Sequence, residues 1–175
     1  MQIIWKEKKF KDLSNTELYK ILQLRSKIFV VEQNCVYNDL DDLDFEAYHI
    51  LCCLEKNIIG YSRIIDKKEN IVIGRIIVEK KVRKRGIGEM LVKKSIRTAK
   101  RKIGKKSIII SAQKQWDSFY KKLNFKCTGK DYLEDGIPHQ QMIYCEWKHL
   151  EKRVWDKFLV SLKDKILVLE YINIK

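Results

Sequence analysis

Proline is nearly absent from this chain of 175 residues, which contains a single one. A proline-rich linker or tail is therefore not expected. No stretch reaches the roughly 18 consecutive apolar residues that a membrane-spanning helix needs, so we expect no membrane partner. The first residues, Met1 to Lys9, lack the apolar segment of a secretory signal, and no such signal is expected.

Disulfide and zinc patterns are also missing, because five cysteines without a C-x-x-C pair fit neither a disulfide framework nor a zinc site. Cys52 and Cys53 are adjacent in an apolar run, where thiols behave as small hydrophobic side chains. The others are Cys35, Cys127 and Cys145. We predict reduced thiols in or near the core, no bound metal and a cytoplasmic location.

Charge is plentiful and unevenly distributed, with a formal net charge of +14. The segment from Lys80 to Lys106 has thirteen basic residues and one acidic residue, Glu89, whereas Ile28 to Glu55 has seven acidic residues and no Lys or Arg. Such runs are either solvated faces or surfaces that meet ions of opposite sign. Because the basic segment has no aromatic side chains to stack on bases, nucleic acid is not an expected partner.

Hydrophobic periodicity predicts one α/β (α+β) domain over residues 1–147. Ser14 and Glu17 have the spacing of a helix-capping box, and Gly86 to Lys102 forms an amphipathic helix. The order is a strand, a helix, three strands, a helix, a strand, a helix and two strands, which favours a mixed sheet. The predicted strands are residues 2–7, 49–54, 58–65, 71–78, 107–112, 125–130 and 140–147, and a short helix covers 115–123.

Residues 148–175 follow this domain and carry an apolar stripe at helical spacing. Such a stripe must be covered. We therefore predict a helical extension that packs on the domain or on a second subunit, which allows a homodimer.

The segment from Ile76 to Gly88 carries the clearest functional pattern. An apolar strand runs into a basic turn with two glycines, and the turn opens a long helix. Helix N-termini present free N–H groups and the positive end of the dipole, while Gly86 and Gly88 let a ligand approach the backbone. The Arg-Lys-Arg run at positions 83–85 adds positive charge. The pattern predicts a pyrophosphate site, and it matches neither a Rossmann turn nor a Walker P-loop.

The motif Arg83-x-x-Gly86-x-Gly88 resembles the R/Q-x-x-G-x-G/A signature of the GNAT superfamily of N-acetyltransferases. The segment Trp116 to Phe125 resembles the helix–strand junction that reads FYxxxGF in that superfamily, with Asn124 in place of the usual glycine. Asparagine also tolerates left-handed backbone, so we expect the turn to be kept.

Longer blocks narrow the resemblance to the ElaA family within that superfamily. They are Leu24–Tyr37, followed by Asp41, Asp44 and His49, and Ser111–Gln113, followed by Tyr132–His139. The similarity covers residues 5–142. It implies a GNAT acyl-CoA N-acyltransferase fold with a mixed, mostly antiparallel sheet flanked by helices. It also implies an enzyme that uses acetyl-coenzyme A to acetylate a primary amine by direct attack, without a covalent enzyme intermediate.

The resemblance further implies roles for individual residues. The strand end Ile76, Ile77 and Val78 would hold the pantetheine arm through backbone N–H groups that polarise the thioester carbonyl. Tyr120 matches the tyrosine that protonates the departing thiolate, with packing as the alternative role. Gln113 stands where many relatives contact the pantetheine through Asn. The turn would hold the coenzyme phosphates with Arg83, Lys84, Arg85, Gly86, Ile87 and Gly88.

The general base and the acceptor site are less well defined. Glu32 and His139 are candidate bases beside Asp135 and His49, and each also has a structural interpretation, such as a pair between Glu32 and Arg25 or Arg75. In this fold the first helix and the loop after it border the acceptor site. An acidic rim at residues 39–46 would favour a cationic amine, small or peptidic. The candidate acceptor-site residues are Arg25, Glu32, Asp44, His49 and Asp135.

The alternative function is a non-catalytic acyl-coenzyme A-binding sensor or interaction protein. The presence of Tyr120 disfavours this alternative. A cysteine nucleophile is disfavoured, because Cys35 has no identified basic partner.

Overall fold

The computed structural model describes residues 2–146. One sheet contains the strands β1 Ile3–Lys9, β2 Tyr48–Leu54, β3 Asn57–Asp66, β4 Asn70–Val78, β5 Ser107–Gln113, β6 Phe125–Glu134 and β7 Ile137–Tyr144. The helices are α1 Asn15–Arg25, α2 Ile87–Lys102 and α3 Asp117–Lys122. A π-helix, Ser26–Glu32, continues α1, and short 3-10 turns cover Phe10–Asp12, Lys80–Val82 and Lys114–Trp116. These elements belong to one compact unit that ends at Tyr144. The predicted extension, residues 148–175, lies outside the described residues.

The first long helix begins where the sequence predicts it. Ser14 Oγ accepts a hydrogen bond from the N–H of Glu17 at 3.1 Å, and Glu17 Oε2 accepts one from the N–H of Ser14 at 3.0 Å. This reciprocal pair is the predicted capping box. Glu17 also accepts from Lys6 and Lys8 of β1, so the cap ties α1 to the edge of the sheet.

The sheet is mixed and mostly antiparallel, which confirms the predicted fold class. Its strand order is β1-β2-β3-β4-β5-β7-β6, and β4 with β5 is the parallel pair. Parallel neighbours need a crossover connection, which α2 supplies. No helix within residues 2–146 is both long and apolar enough to cross a membrane.

Different helices cover the two faces of the sheet. Leu91 of α2 and Tyr120 of α3 belong to the core on one face, whereas Ile21 and Leu24 of α1 pack on the opposite face with Tyr61 of β3. Side chains of a strand alternate between faces. The residues of β5 in the α2 core are Ile108, Ile110 and Ala112. Therefore Ser111 and Gln113 point to the α1 face.

The parallel pair separates after three residues, and this separation positions the candidate site. Residues 70–72 of β4 pair with residues 107–109 of β5, whereas residues 73–78 have no partner on β5. The backbone N–H and C=O groups on their facing edge are therefore not paired by β5. Two residues of β4, Arg75 and Ile76, oppose Ser62 of β3, and Arg75 has a φ of 52°. This bulge bends β4 next to the opening.

Several boundaries differ from the sequence prediction. Asn57 is already the first residue of β3, because the turn before it consists of Glu55, at φ 56°, and Lys56. The last two strands extend to a tight turn of Asp135 and Gly136, at φ 49° and 78°, as Asp-Gly pairs in hairpins favour. The predicted helix over residues 115–123 is a 3-10 turn followed by α3. Asn124 has a φ of 66°, which confirms the left-handed turn.

Candidate active site

The turn between β4 and α2 has a backbone conformation that favours glycine. Gly86 caps α2 at φ 76°, and Lys84 has a φ of 63°. The N–H of Met90 donates to the Gly86 carbonyl at 3.1 Å, so the N–H groups of residues 87–89 have no acceptor inside the helix. Such donors, together with the helix dipole, suit an anion. Lys84 and Arg85 are exposed beside it.

The signature arginine, Arg83, joins the end of β4 to the acidic segment. Its Nε donates to the Val78 carbonyl at 2.9 Å, its Nη2 donates to Glu32 Oε2 at 2.9 Å, and its Nη1 donates to Glu32 Oε1. Glu32 therefore pairs with Arg83, and the alternatives Arg25 and Arg75 are wrong. Because the guanidinium lowers the pKa of Glu32, this carboxylate is a poor proton acceptor at neutral pH.

The end of β4 beside this turn has no partner strand on its side toward β5, where the Val78 carbonyl accepts from Arg83 Nε. Ile76 and Val78 pack against the α2 core, and Ile77 packs against the α1 core. Their backbone edge faces the opening toward β5. An extended ligand with amide groups fits such an edge, because it satisfies the N–H and C=O groups as another strand would.

Tyr120 of α3 both packs in the core and lines a cavity. Its ring makes edge-to-face contacts with Phe119 and Phe125, with centroids at 5.0 and 5.8 Å. The residue is 9% exposed, and burial raises the pKa of its hydroxyl. This hydroxyl has no hydrogen-bond partner within residues 2–146, so it keeps a proton that is free for donation.

The cavity has a volume of about 350 Å³ and lies where β4 and β5 separate. Its walls come from the segment after α1, from β3 and β4, and from β5 through β7. It brings together five predicted site residues, namely Ile76, Gln113, Tyr120, Asp135 and His139. Further lining residues include Phe29, Gln33, Cys35, Tyr37, Arg63, Lys67, Arg75, Ser111 and Glu134.

His139 is fixed on the cavity wall by two contacts. Its Nδ1 lies 2.8 Å from the Ile137 carbonyl oxygen. Because a carbonyl only accepts, Nδ1 carries the proton and Nε2 is the unprotonated nitrogen of the neutral ring. The ring stacks on Tyr132 at a centroid distance of 6.1 Å and an angle of 18°. Among the described residues Nε2 has no partner, so its lone pair is available.

Tyr132 belongs to a hydrogen-bonded chain that the sequence analysis missed. Its hydroxyl donates to Ser111 Oγ at 2.6 Å, and Ser111 Oγ donates to Glu134 Oε2 at 2.6 Å. The alternation of β6 could have placed Tyr132 and Glu134 on one face. Ser111 joins them only through the strand order β5-β7-β6, for which the sequence carries no local signal.

Gln113 lies at the end of β5 with its side-chain amide already engaged. Its Nε2 donates to Gln33 Oε1 at 3.1 Å, and its Oε1 accepts from Gln115 Nε2 at 2.8 Å. A role for Gln113 toward the pantetheine therefore requires an exchange of these bonds or the use of its backbone.

Four of the five candidate acceptor-site residues are absent from the lining of this cavity, namely Glu32 and the buried residues Arg25, Asp44 and His49. Arg25 is fully buried and donates from Nε to Asp39 at 2.8 Å and from Nη1 to Asp44 at 2.7 Å. His49 is 1% exposed, with Nδ1 at 2.8 Å from the Tyr61 hydroxyl and Nε2 at 3.0 Å from the Asp44 carbonyl. Burial lowers the pKa of His49. The structure thus gives the three buried residues contacts that stabilise the fold.

The acidic run that follows α1 is not an open rim. Arg75 pairs with Asp39 at 2.6 Å and with Asp41 at 3.3 Å. Arg63 pairs with Asp41 at 2.6 Å and with Asp44 at 3.0 Å. Together with Arg25, these arginines neutralise the three aspartates. Asp39, Asp41 and Asp44 therefore form an ionic cluster, and of the acidic rim predicted at residues 39–46 only Asp42 and Glu46 are exposed without an ion pair among the described residues. In the sequence, Arg63 and Arg75 are single charges within apolar strands, and nothing there indicates that they pair with these aspartates.

Asp135 occupies the β6–β7 turn and also lines the cavity. The Cys35 thiol lies 3.6 Å from the Asp135 carbonyl oxygen and links the segment after α1 to this turn. All five cysteines are free thiols, as predicted, and Cys52 and Cys53 are buried in the core.

A second cavity, of about 470 Å³, lies between α1, the start of β3 and the turn after β4. Its lining includes Lys20, Lys27, Ile58, Glu79 and Lys81. None of the predicted site residues lines this cavity, whereas five of them line the other one.

Comparison with known proteins identifies the family of this chain. The family model described as the acetyltransferase (GNAT) domain matches residues 17–145. Protein ElaA of Escherichia coli (strain K12) is 38% identical over 142 residues, which span 78% of this chain and 93% of that protein. The crystal structure of Escherichia coli ElaA matches with a TM-score of 0.78 at 35% identity, covering 82% of this chain and 100% of the other. An acyl-CoA N-acyltransferase structure from Pseudomonas aeruginosa has a TM-score of 0.78 at 32% identity and the same coverage.

The opened mixed sheet, the glycine turn and these matches define a GNAT acetyltransferase, and the chain belongs to that family. Its relatives there include the ElaA proteins, which confirms the resemblance seen in the sequence blocks at residues 24–37 and 132–139. Membership supports acyl transfer as the general chemistry.

Proposed function

We propose that the protein transfers an acetyl group from acetyl-coenzyme A to a primary amine by direct attack in a ternary complex. The separation of β4 and β5 carries this proposal, because it leaves an unpaired strand edge between the phosphate turn and a cavity lined by Tyr120 and His139. The proposed location is the cytoplasm, where thiols stay reduced.

The residues present fit acetyl-coenzyme A, which supplies the activated thioester. The free N–H groups of residues 87–89 and the basic residues 83–85 suit a pyrophosphate. The unpaired edge of residues 76–78 suits an extended arm with amide groups. Backbone N–H groups on that edge would also stabilise negative charge on the acyl oxygen.

His139 and Tyr120 provide the two proton transfers. His139 Nε2 accepts a proton from the amine as the nitrogen bonds to the acyl carbon and the carbon–sulfur bond breaks. Tyr120 donates its hydroxyl proton to the departing sulfur. Exchange with water then restores the neutral imidazole and the phenol. We favour His139 over Glu32 as the base, because Glu32 is engaged by Arg83.

The acceptor class follows from the charges that line the cavity. Glu134 and Asp135 line it without a cationic partner within residues 2–146, and they outnumber Lys67, the one lining cation without a described anionic partner. These carboxylates replace the neutralised aspartates 39, 41 and 44 as the attraction for a cationic amine. A small or peptidic amine with positive charge is therefore the proposed acceptor.

The test is turnover with acetyl-coenzyme A and a panel of cationic, neutral and acidic primary amines. Thiol release and the mass of the acetylated amine are measured together. We expect acetylation of cationic amines above the others. Turnover confined to acidic amines would contradict the acceptor class. Tight coenzyme binding without turnover across the panel would favour the sensor alternative.

A further inference from the structure

Glu32 binds the same edge of the Arg83 guanidinium through which arginines commonly bind phosphate groups. Both Glu32 carboxylate oxygens accept from Nη1 and Nη2 of Arg83. Arginine makes the same two-point contact with phosphates. Nε donates to the Val78 carbonyl, so the other two-point face of the guanidinium, formed by Nε and Nη2, is also occupied. A phosphate that binds Arg83 in this two-point manner must therefore displace Glu32.

The surroundings of Glu32 are basic. Lys27 and Lys80 add to the positive field of Arg83 and lower the pKa of Glu32 further. The nearby acid Glu79 pairs with Lys27 at 2.7 Å. Glu32 is thus the carboxylate bound at the basic turn, in the charge environment that suits a phosphate.

The residue after Glu32 contacts the other side of the opening between the strands. Gln33 accepts from Gln113, at the end of β5, at 3.1 Å, whereas Glu32 contacts Arg83, which follows β4. Glu32 and Gln33 therefore form a strap across the opening. Glu32 is the last residue of the π-helix, and Gln33 follows it. This rare helical conformation is frequent at functional sites.

We propose that Glu32 sets the affinity for the coenzyme by competing with a phosphate group for Arg83. Coenzyme binding exchanges Glu32 for phosphate on the guanidinium and releases the strap from the turn. Gln33 lines the cavity of about 350 Å³ that is proposed to receive the acceptor amine. This exchange therefore couples the coenzyme site to the acceptor site. The inference rests on the proposed function, since it requires coenzyme phosphates at the turn.

The test is calorimetric titration of the full chain with acetyl-coenzyme A. Glu32→Gln keeps the side-chain size and removes the charge. We expect its Kd to fall by about threefold to tenfold, because a partly exposed ion pair is worth up to about fivefold and repulsion of the phosphates is also removed. Glu55→Gln removes the same charge from the exposed β2–β3 turn, and its Kd should match that of the wild type.

A double-mutant cycle separates competition for Arg83 from a general charge effect. In the Arg83→Ala background, Glu32→Gln should tighten binding much less than in the wild type. An equal gain in both backgrounds overturns the inference, as does unchanged or weaker binding by Glu32→Gln alone. If the wild type itself fails to bind acetyl-coenzyme A, the proposed function fails instead.

Discussion

Replacing Asp44 by Asn would remove one charge from the buried ionic cluster that shapes the segment after α1. Asp44 Oδ2 accepts from Arg25 Nη1 at 2.7 Å, and Oδ1 accepts from Arg63 Nη1 at 3.0 Å. Arg25 and Arg63 are 0% and 2% exposed. The substitution would therefore leave two buried guanidinium groups with too little negative charge.

The expected loss of stability follows from these contacts. Removing one partner of a buried ion pair costs about 3–5 kcal/mol. Arg25 keeps Asp39 and Arg63 keeps Asp41, so we expect the lower end, about 3 kcal/mol. At roughly 2–4 °C per kcal/mol for a chain of this size, Tm should fall by about 6–12 °C.

Calorimetric and chemical unfolding at neutral pH would measure this loss. Asp42→Asn is the matched control, because Asp42 lies on the same segment, is exposed and has no ion pair among the described residues. It should change the free energy of unfolding by less than about 0.5 kcal/mol. Equal effects of the two substitutions would refute the view that the cluster stabilises this segment.

Two further predictions concern the chemistry and the capped helix. Tyr120→Phe should lower kcat by roughly 10²- to 10⁴-fold with an unchanged Kd for acetyl-coenzyme A, while Tyr19→Phe, on the exposed face of α1, should leave kcat unchanged. Equal kcat values for the two variants would show that Tyr120 is not the general acid. The ion pairs and cap of Glu17 lower its pKa from 4.5 to about 2. Wild type should therefore be more stable than Glu17→Gln above about pH 4.5, and this difference in unfolding free energy should vanish as the pH falls to about 2.

Features with a local cause were predictable from the sequence. The capping box needs only Ser14 and Glu17 at the right spacing. The turn at Gly86 needs a residue that tolerates positive φ, and Asn124 meets the same need after α3. The Asp-Gly pair at residues 135–136 likewise specifies a tight hairpin, although its effect on the lengths of β6 and β7 was missed.

Features that depend on distant pairing were not predictable. Glu32 and Arg83 are 51 positions apart, and either could have paired with other charges nearer in the chain. The sequence alone indicates free negative charge for the aspartates at residues 39–44, because their partners Arg63 and Arg75 lie on two later strands. Only the register of β3 and β4, with the bulge at Arg75, brings them together.

Titration of the wild-type chain with acetyl-coenzyme A at two salt concentrations is the measurement that tests the proposed function most directly. We expect saturable binding of one coenzyme per chain that weakens as salt rises, because the basic turn attracts the phosphates through screened charges. Absence of binding at low salt would contradict the assignment of the turn at residues 83–88 and of the opened β4 edge as a coenzyme site.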